Sequence, residues 1–579
     1  MLNYYNNHIT AVDDKHPVQD LSNRPYVIVD AAGNGDYTTL EDAVFAVEEL
    51  ALPKDIFIRN GTYTPNWGGK CIGRAANKNY NITGESRTGT IISGGTDGAW
   101  SAIQADTAAP LNAKVVFSNL TIQTTSTAGT MVYNPSDPPY YPDYDSGLVF
   151  QNCQFRRPSP CTARVISNRG NLRFFQCSFS SASTLTTIEY ISSYRHSTYD
   201  PEVIIDHCFI ENTCAFMAGA PGSGDVESGR VRVRHCKFTS CNYGQTLFDF
   251  GLPQGVIHVD CELIHNDFRV VNLVVVGRGR FNIADNRIDG RTPNSADQYL
   301  IDVGSYEPTV HHTCHVHHNQ FIGGSSAKHG AIRVYDGAVD HNSFVEVYSS
   351  PSSDGNPTPV IKAVSNDYEG CLVAHNRIQH SADDTSAANT FAIDLSGDFV
   401  TCIGNYLGLG PGAAGHHGIG VSGCNHFVVS DNVIIGSDDA ATGSFAVSAS
   451  ATYGTIRGNV IRHMWTGIYL GYSCRCVVVD GNTVEVNGLS NAECVTFQAL
   501  GTNQSMECSV SNNILGGWNS AGIDCGSSIH NWNIHISGNL FRAAANKILH
   551  AQADSVGIDA DAGGTGKVLT NNLTYATPT

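Results

Sequence analysis

Four charged residues, Asp302, Arg333, Lys362 and Asp394, hold the same place in four versions of one short phrase: "LIDVG", "AIRVYDG", "VIKAVS" and "AIDLSG". Each stands between two apolar residues, with a small or turn residue close behind. Acid, base, base, acid is a set able to move protons or to hold polar groups of a ligand. Alternation of this kind marks a strand with one face buried, so the charged residue points outward. The same slot recurs at Glu189, Asp249, Gly420, Ser448, Tyr469, Gln498, Asp524 and His550. Residues this far apart in the chain line up only if it returns to the same place once per repeat.

A second phrase shows that it does. "IHNDF", "ADNRI", "HHNQF", "DHNSF", "AHNRI", "IGNYL", "SDNVI", "RGNVI", "DGNTV", "SNNIL", "SGNLF" and "TNNLT" set Asn266, Asn286, Asn319, Asn342, Asn376, Asn405, Asn432, Asn459, Asn482, Asn513, Asn539 and Asn571 two residues before an apolar anchor. Upstream the slot is filled by Leu120, Cys153, Cys177, Cys208 and Cys236. The mean period from Leu120 to Asn571 is about 28 residues, within the range of a solenoid and shorter than a propeller blade. With alternating strands, Gly/Ser/Asn/Asp turns and almost no helical period, the fold expected is all-β: a single-stranded right-handed parallel β-helix with an N-terminal capping helix. Stacked coils repeat at about 4.7–4.9 Å. Identical Asn side chains at that spacing can bond amide to amide, so Asn376, Asn405, Asn432 and Asn459 are expected to form a buried ladder. The Cys section has the same spacing, inside the disulfide window of about 4.4–6.8 Å between Cα atoms. Its stacked Cβ vectors run parallel, however, which favours a row of buried free thiols.

The 579 residues exceed the usual single-domain length, but a solenoid grows along one axis and escapes that limit. Residues 1–24 read as a polar arm and a docking segment, 25–110 as the capping helix and first coils, and 111–579 as the β-helix. The helix is expected over about Thr39 to Leu50, with Leu40, Val44 and Val47 on its apolar face. The start, "MLNYYNNHITAVDDKHPVQD", has neither the basic nor the apolar region of a secretory leader. No apolar run reaches the roughly 18 residues of a membrane span, so no membrane insertion is expected. A formal charge of −19 argues against a nucleic-acid groove. The Pro-, Tyr- and Asp-rich stretch "YNPSDPPYYPDYD" at Tyr133 to Asp145 reads as a solvated excursion, or as a loop suited to stacking on sugars. "HHTCHVHHNQF" could place His315 and His317 on one strand face toward an ion. A solvated edge is the commoner outcome for such a run, and no metal or other cofactor is expected.

"VIVDAAGNGDYTTLEDAV", "IFIRNGTYTPN" and "NITGES…GTIISG" resemble the opening of the pectin-lyase-like right-handed parallel β-helix superfamily, which includes pectin methylesterases and many phage tailspikes. The Asn and Cys phrases extend that resemblance in fold along nearly the whole chain. The superfamily's esterase signature is absent apart from an echo in "LFDFG", Leu247 to Gly251, and its polygalacturonase set is not assembled, although "GHHGIG" holds His416 and His417. Neither activity carries over. The resemblance implies that polysaccharide chains bind along an outward face, which makes Asp302, Arg333, Lys362, Asp394, Asp249 and Asp336 the candidate catalytic and binding residues. Asp249 and Asp302, two coils apart, fall at the upper edge of the roughly 6.5–9.5 Å of an inverting glycosidase. Arg333 or Lys362 with a depressed pKa is the alternative, a lyase base; a ladder of exposed ion pairs is the structural one, worth at most about 1 kcal/mol per pair. The expected function is a virion tailspike or tail-fibre-like protein that recognises, and in one form depolymerises, a bacterial surface polysaccharide. Its partners would be virion tail or baseplate proteins held through residues 1–24, its assembly a homotrimer and its place the virion surface. The alternative is an extracellular polysaccharide lyase or glycoside hydrolase of cellular origin.

Overall fold

A computed structural model describes residues 24–67, 72, 78–94, 101–105, 113–124, 131–134, 146–157, 166–168, 170–181, 186–190, 202–211, 215–219, 226–239, 246–250, 257–269, 273–290, 299–304, 314–323, 330–347, 350–351, 357–366, 370–379, 390–410, 416–437, 443–471, 473–498, 506–525, 532–542, 547–550, 568–570 and 573–575. The polar arm through residue 23, most of the Tyr133–Asp145 loop, His311, His312 and Asn571 lie outside them. The chain divides into two units, Met1–Lys237 and Phe238–Thr579. The fold is an all-β right-handed parallel β-helix.

In the first unit the helix Leu40–Glu49 starts on Thr39, whose hydroxyl accepts the Asp42 N–H at 3.4 Å. Leu40, Ala43, Val44 and Val47 are buried, and Tyr80 donates its hydroxyl to Glu48 at 2.7 Å. Parallel coils follow in tight register, as where Leu148–Gln151 runs beside Leu172–Phe175. Phe117, Phe150 and Phe174 stack inside them at 5.2 and 5.3 Å between ring centroids. The four slot cysteines, Cys153, Cys177, Cys208 and Cys236, are free and buried. Their thiols donate to carbonyls of the coils, Cys153 to Phe117 and Cys177 to Phe150 among them. Burial pushes the Cys153 and Cys208 thiols upward in pKa and keeps them protonated.

In the second unit most coils carry three strands. One bears the outward charged slot, as in Tyr299–Gly304; the next leads up to the Asn, as in Cys314–His317; a short third follows it, as in Gln320–Gly323. The Asn ladder runs from Asn266 to Asn539 without a break. Each side-chain N–H donates to the carbonyl oxygen of the next Asn at 2.9–3.0 Å, and each accepting oxygen from Asn286 to Asn539 also takes the backbone N–H of the Asn before it. The residue just before each ladder Asn has a positive φ, as at His318, Asp431 and Gly458. Gly, Asn, Asp and His tolerate that left-handed conformation best. The dipeptides "HN", "DN", "GN" and "NN" are therefore the corner of the coil: one residue turns the chain and the next bonds the turn to its neighbours.

Candidate functional site

The outward slot is continuous in the second unit. Successive strands place Asp249 beside Val276, Val276 beside Asp302, then Arg333, Lys362, Asp394, Gly420, Ser448, Tyr469, Thr496 and Asp524 in one column. Asp249 and Asp302 are two coils apart as expected, with Val276 between them. Thr496 fills the place expected for Gln498: a shift of two residues keeps every side chain on its face, so alternation alone cannot detect it.

The four charged residues form two unlike pairs. Arg333 makes a two-pronged contact with Asp302, Nε to Oδ1 at 2.8 Å and Nη2 to Oδ2. Its guanidinium lies 4.8 Å from the centre of the Tyr299 ring and 5.7 Å from that of Tyr335. Asp302 is only 4% exposed. Arg333 does not have the depressed pKa a base would need. Burial lowers it, but the hydrogen bonds and charge of Asp302 overcome burial and hold it above its ordinary value, so the lyase-base role does not suit this residue. Lys362 and Asp394 form the looser pair, 3.7 Å apart and half-buried. Burial raises the Asp394 pKa against the opposing pull of Lys362. Asp336 stands outside the column: at φ 49° it turns the chain, and its carboxylate accepts the Asn366 N–H at 2.9 Å.

The pairs should respond differently to truncation. Arg333→Ala strands a buried carboxylate and is expected to cost about 3 kcal/mol, the lower end for breaking a buried pair. Lys362→Ala opens the looser, half-buried pair and should cost about 1 kcal/mol. Denaturant unfolding of the two variants beside wild type checks this, and equal losses would contradict the reading of Asp302 as buried and dependent on its partner. The expectation of uniformly exposed pairs is not met: Asp302 is buried, and Lys362 and Asp394 are half-buried.

A second column, three residues earlier on each strand, was not foreseen. It carries Tyr299 and Gly330 and, beyond the Lys362 coil, Phe391, His417, Phe445, Thr466 and Glu493. Phe391, His417, Phe445 and then Tyr469 stack at 4.8, 4.9 and 4.6 Å between centroids. The rings lean onto the charged column: a Cβ on Gly420 would lie 2.9 Å from the Phe391 ring, so glycine is what lets the ring close over that position. His417 is buried, its Nδ1 accepts the Phe445 N–H at 3.0 Å, and burial with the neighbouring His416 lowers its pKa to about 4. It is a neutral member of the stack.

Beyond the stack lies a pair of carboxyls. Glu493 and Asp524 are joined by a hydrogen bond, and the Thr496 hydroxyl donates to Glu493 Oε2 at 2.6 Å. Burial pushes the Glu493 carboxyl up to about 7; Thr496 opposes that and the charge of Asp524 adds to it. The Glu493 carboxyl therefore keeps its proton to near neutrality, beside the Asp524 carboxylate. The charged slot did flag Asp524. Glu493 gave no signal of its own, because it lies on the other side of the Val495 anchor, three residues from the slot.

Among solved structures the chain is similar to the A-module of the mannuronan C-5 epimerase AlgE6 of Azotobacter vinelandii, at 11% identity over 93% of this chain and 94% of that one, with a TM-score of 0.24. It is similar to tailspike protein 3 of bacteriophage CBA120 at 11% identity over 99% of this chain and 62% of the other, TM-score 0.22. The PL6 family alginate lyase AlyGC matches at 8% identity over 95% and 100% of the two chains, TM-score 0.26. No curated protein matches the sequence. A family model for NosD, described as a periplasmic copper-binding protein, matches residues 349–572. At the level of fold, the resemblance to right-handed parallel β-helix proteins is borne out by the coil itself.

Proposed function

We propose that the second unit binds a polysaccharide along the paired columns from Asp302 to Asp524 and carries out acid–base chemistry on it at Glu493 and Asp524. The observation that carries this reading is the side-by-side run of stacked rings and charged groups on successive coils. A sugar ring presents C–H groups to an aromatic surface and hydroxyls to carboxylates, lysine and guanidinium, and a polymer needs such subsites repeated along a line. The hydrogen bond joining Glu493 and Asp524 brings them closer than the roughly 5–5.5 Å of a retaining glycosidase pair. They form one acid–base unit, not two groups flanking a glycosidic bond.

Two settings accommodate this activity. One is a virion tailspike, docked through residues 1–24 and trimeric; the other is a cellular protein of the periplasm or extracellular space, which the match of residues 349–572 to NosD favours. Light scattering on the full chain separates them, since a trimer supports the first. The activity is tested by incubating the protein with a panel of bacterial capsular, lipopolysaccharide and uronate-rich glycans. Near-ultraviolet absorbance from unsaturated ends identifies a lyase, new reducing ends without it a hydrolase, and binding with neither a recognition protein. Lys362→Ala is expected to weaken binding several-fold with little loss of stability. No binding to any glycan, or an unchanged Lys362→Ala, would remove the charged column from the function.

A further inference from the structure

The strand that leads up to Asn319 carries His315 and His317, two residues apart and so on one face. The neighbouring coil pairs with it in register, His315 beside Ala338 and His317 beside Asp340. Ala338 is small and leaves space in front of His315. His315 Nε2 lies 3.0 Å from Asp340 Oδ2, and the two imidazoles face each other with centroids 4.0 Å apart. One ligand atom from each of the three residues falls within 4.8 Å of the others, and all three are half-buried. We propose that His315, His317 and Asp340 form a binding site for one divalent transition-metal ion of the zinc type, with its remaining positions open to solvent.

Two imidazoles and a carboxylate are the donors that borderline ions such as Zn²⁺ and Co²⁺ take, and three protein ligands leave room for water or a substrate. The surroundings orient these donors. His317 Nε2 lies 3.1 Å from Asn282 Oδ1 on the coil before, an acceptor that fixes the proton on Nε2; Nδ1, the nitrogen for an ion, lies 2.9 Å from His318 Nδ1, a contact that the ion displaces. His341 Nδ1 lies 3.4 Å from Asp340 Oδ1 and steers the carboxylate from its far side. These residues lie outside the 349–572 stretch matched by the family model and are independent of the proposed polysaccharide columns.

A second trio, Asp206, His207 and His235 in the first unit, differs in kind. Both imidazole Nδ1 atoms point to the same oxygen, Asp206 Oδ1, at 2.8 and 3.1 Å, which is the arrangement of two hydrogen bonds to one acceptor, and both rings are exposed. It serves as the control.

The test uses the full chain free of any affinity tag, stripped with a chelator and desalted, and titrated with Co²⁺ and then Zn²⁺. One equivalent of Co²⁺ is expected to develop visible d–d absorbance, to be displaced by Zn²⁺, and Zn²⁺ should raise the unfolding temperature. His317→Ala and Asp340→Asn should each weaken Zn²⁺ binding 100-fold or more. His341→Ala should weaken it about tenfold, as outer-shell partners do, and the double variant His207→Ala/His235→Ala should bind as wild type does. If His317→Ala does not fold, His315→Gln, which keeps the size and polarity of the strand face, takes its place. Absence of Zn²⁺ binding to wild type at 100 μM, or a His317→Ala or Asp340→Asn protein that binds as tightly as wild type, overturns the site. Loss of binding only in the His207→Ala/His235→Ala protein overturns it in favour of the other trio.

Discussion

Replacing Asn432 by Ala is expected to destabilise the protein by about 3–5 kcal/mol, although the residue lies well inside the ladder from either end. Its oxygen accepts both the backbone and the side-chain N–H of Asn405 at 2.9 Å, and its own side-chain N–H groups reach Cys402 O and Asn459 Oδ1 at 3.0 Å. The Asn405 side chain retains its bond to Val373 O, and Asn459 Oδ1 still receives the Asn432 backbone N–H. The Asn405 backbone N–H and the Cys402 carbonyl lose these bonds in a site closed to water. Each such group costs about 1–3 kcal/mol, and a cavity adds to the total. Asn432→Leu separates the two effects, since it fills the volume and strands the same groups. A loss close to that of Ala identifies the polar term as dominant. Chains of this size often unfold irreversibly, so the unfolding rate in denaturant is the sounder measure. A change below 1 kcal/mol in both variants would falsify the view that the ladder holds the coils in register.

That ladder is also why so much of the fold was legible in the sequence. A buried amide in a run of β-branched residues conflicts with its local surroundings, and the conflict disappears only if every coil supplies the same amide. The corner residue before it was legible too, in the recurring His, Asp, Gly and Asn, although its meaning needed the positive φ. The outward column was read correctly over Asp302, Arg333, Lys362 and Asp394 because each slot lies between two apolar anchors. It slipped at Gln498 because "ECVTF" and "FQALG" satisfy the same alternation two residues apart. Sequence pattern gives the face a side chain occupies but not its depth. Asp302 was expected in solvent and is buried, because Tyr299 and Arg333 from adjoining positions cover it. The aromatic column escaped notice for a related reason: its members follow no shared phrase, and only the register of neighbouring coils turns Phe391, His417 and Phe445 into a stack.

The carboxyl pair at the end of that stack carries the largest expected effect on activity. If Glu493 and Asp524 are the acid–base unit, Glu493→Gln should lower turnover of the cognate glycan by about 10²–10⁴-fold, the usual contribution of a positioned general acid or base. Binding through the columns should stay within a few-fold of wild type. The pH dependence gives an independent check through stability. Glu493 has a folded-state pKa of about 7, raised from the ordinary 4.5, so the folded protein holds a proton that the unfolded chain releases earlier. Stability from this group is therefore greatest below about pH 4.5 and falls as pH rises toward 7. Glutamine mimics the protonated acid at every pH. Glu493→Gln should therefore be more stable than wild type above pH 7 and little different near pH 4, with Asp524→Asn reducing the slope by removing the neighbouring charge that adds to burial. An active Glu493→Gln would move the chemistry elsewhere on the face. A stability difference between wild type and Glu493→Gln that stays flat from pH 4.5 to 7 would mean that the Glu493 carboxyl is not raised, and with it would go the physical reason for placing acid–base catalysis at this end of the columns.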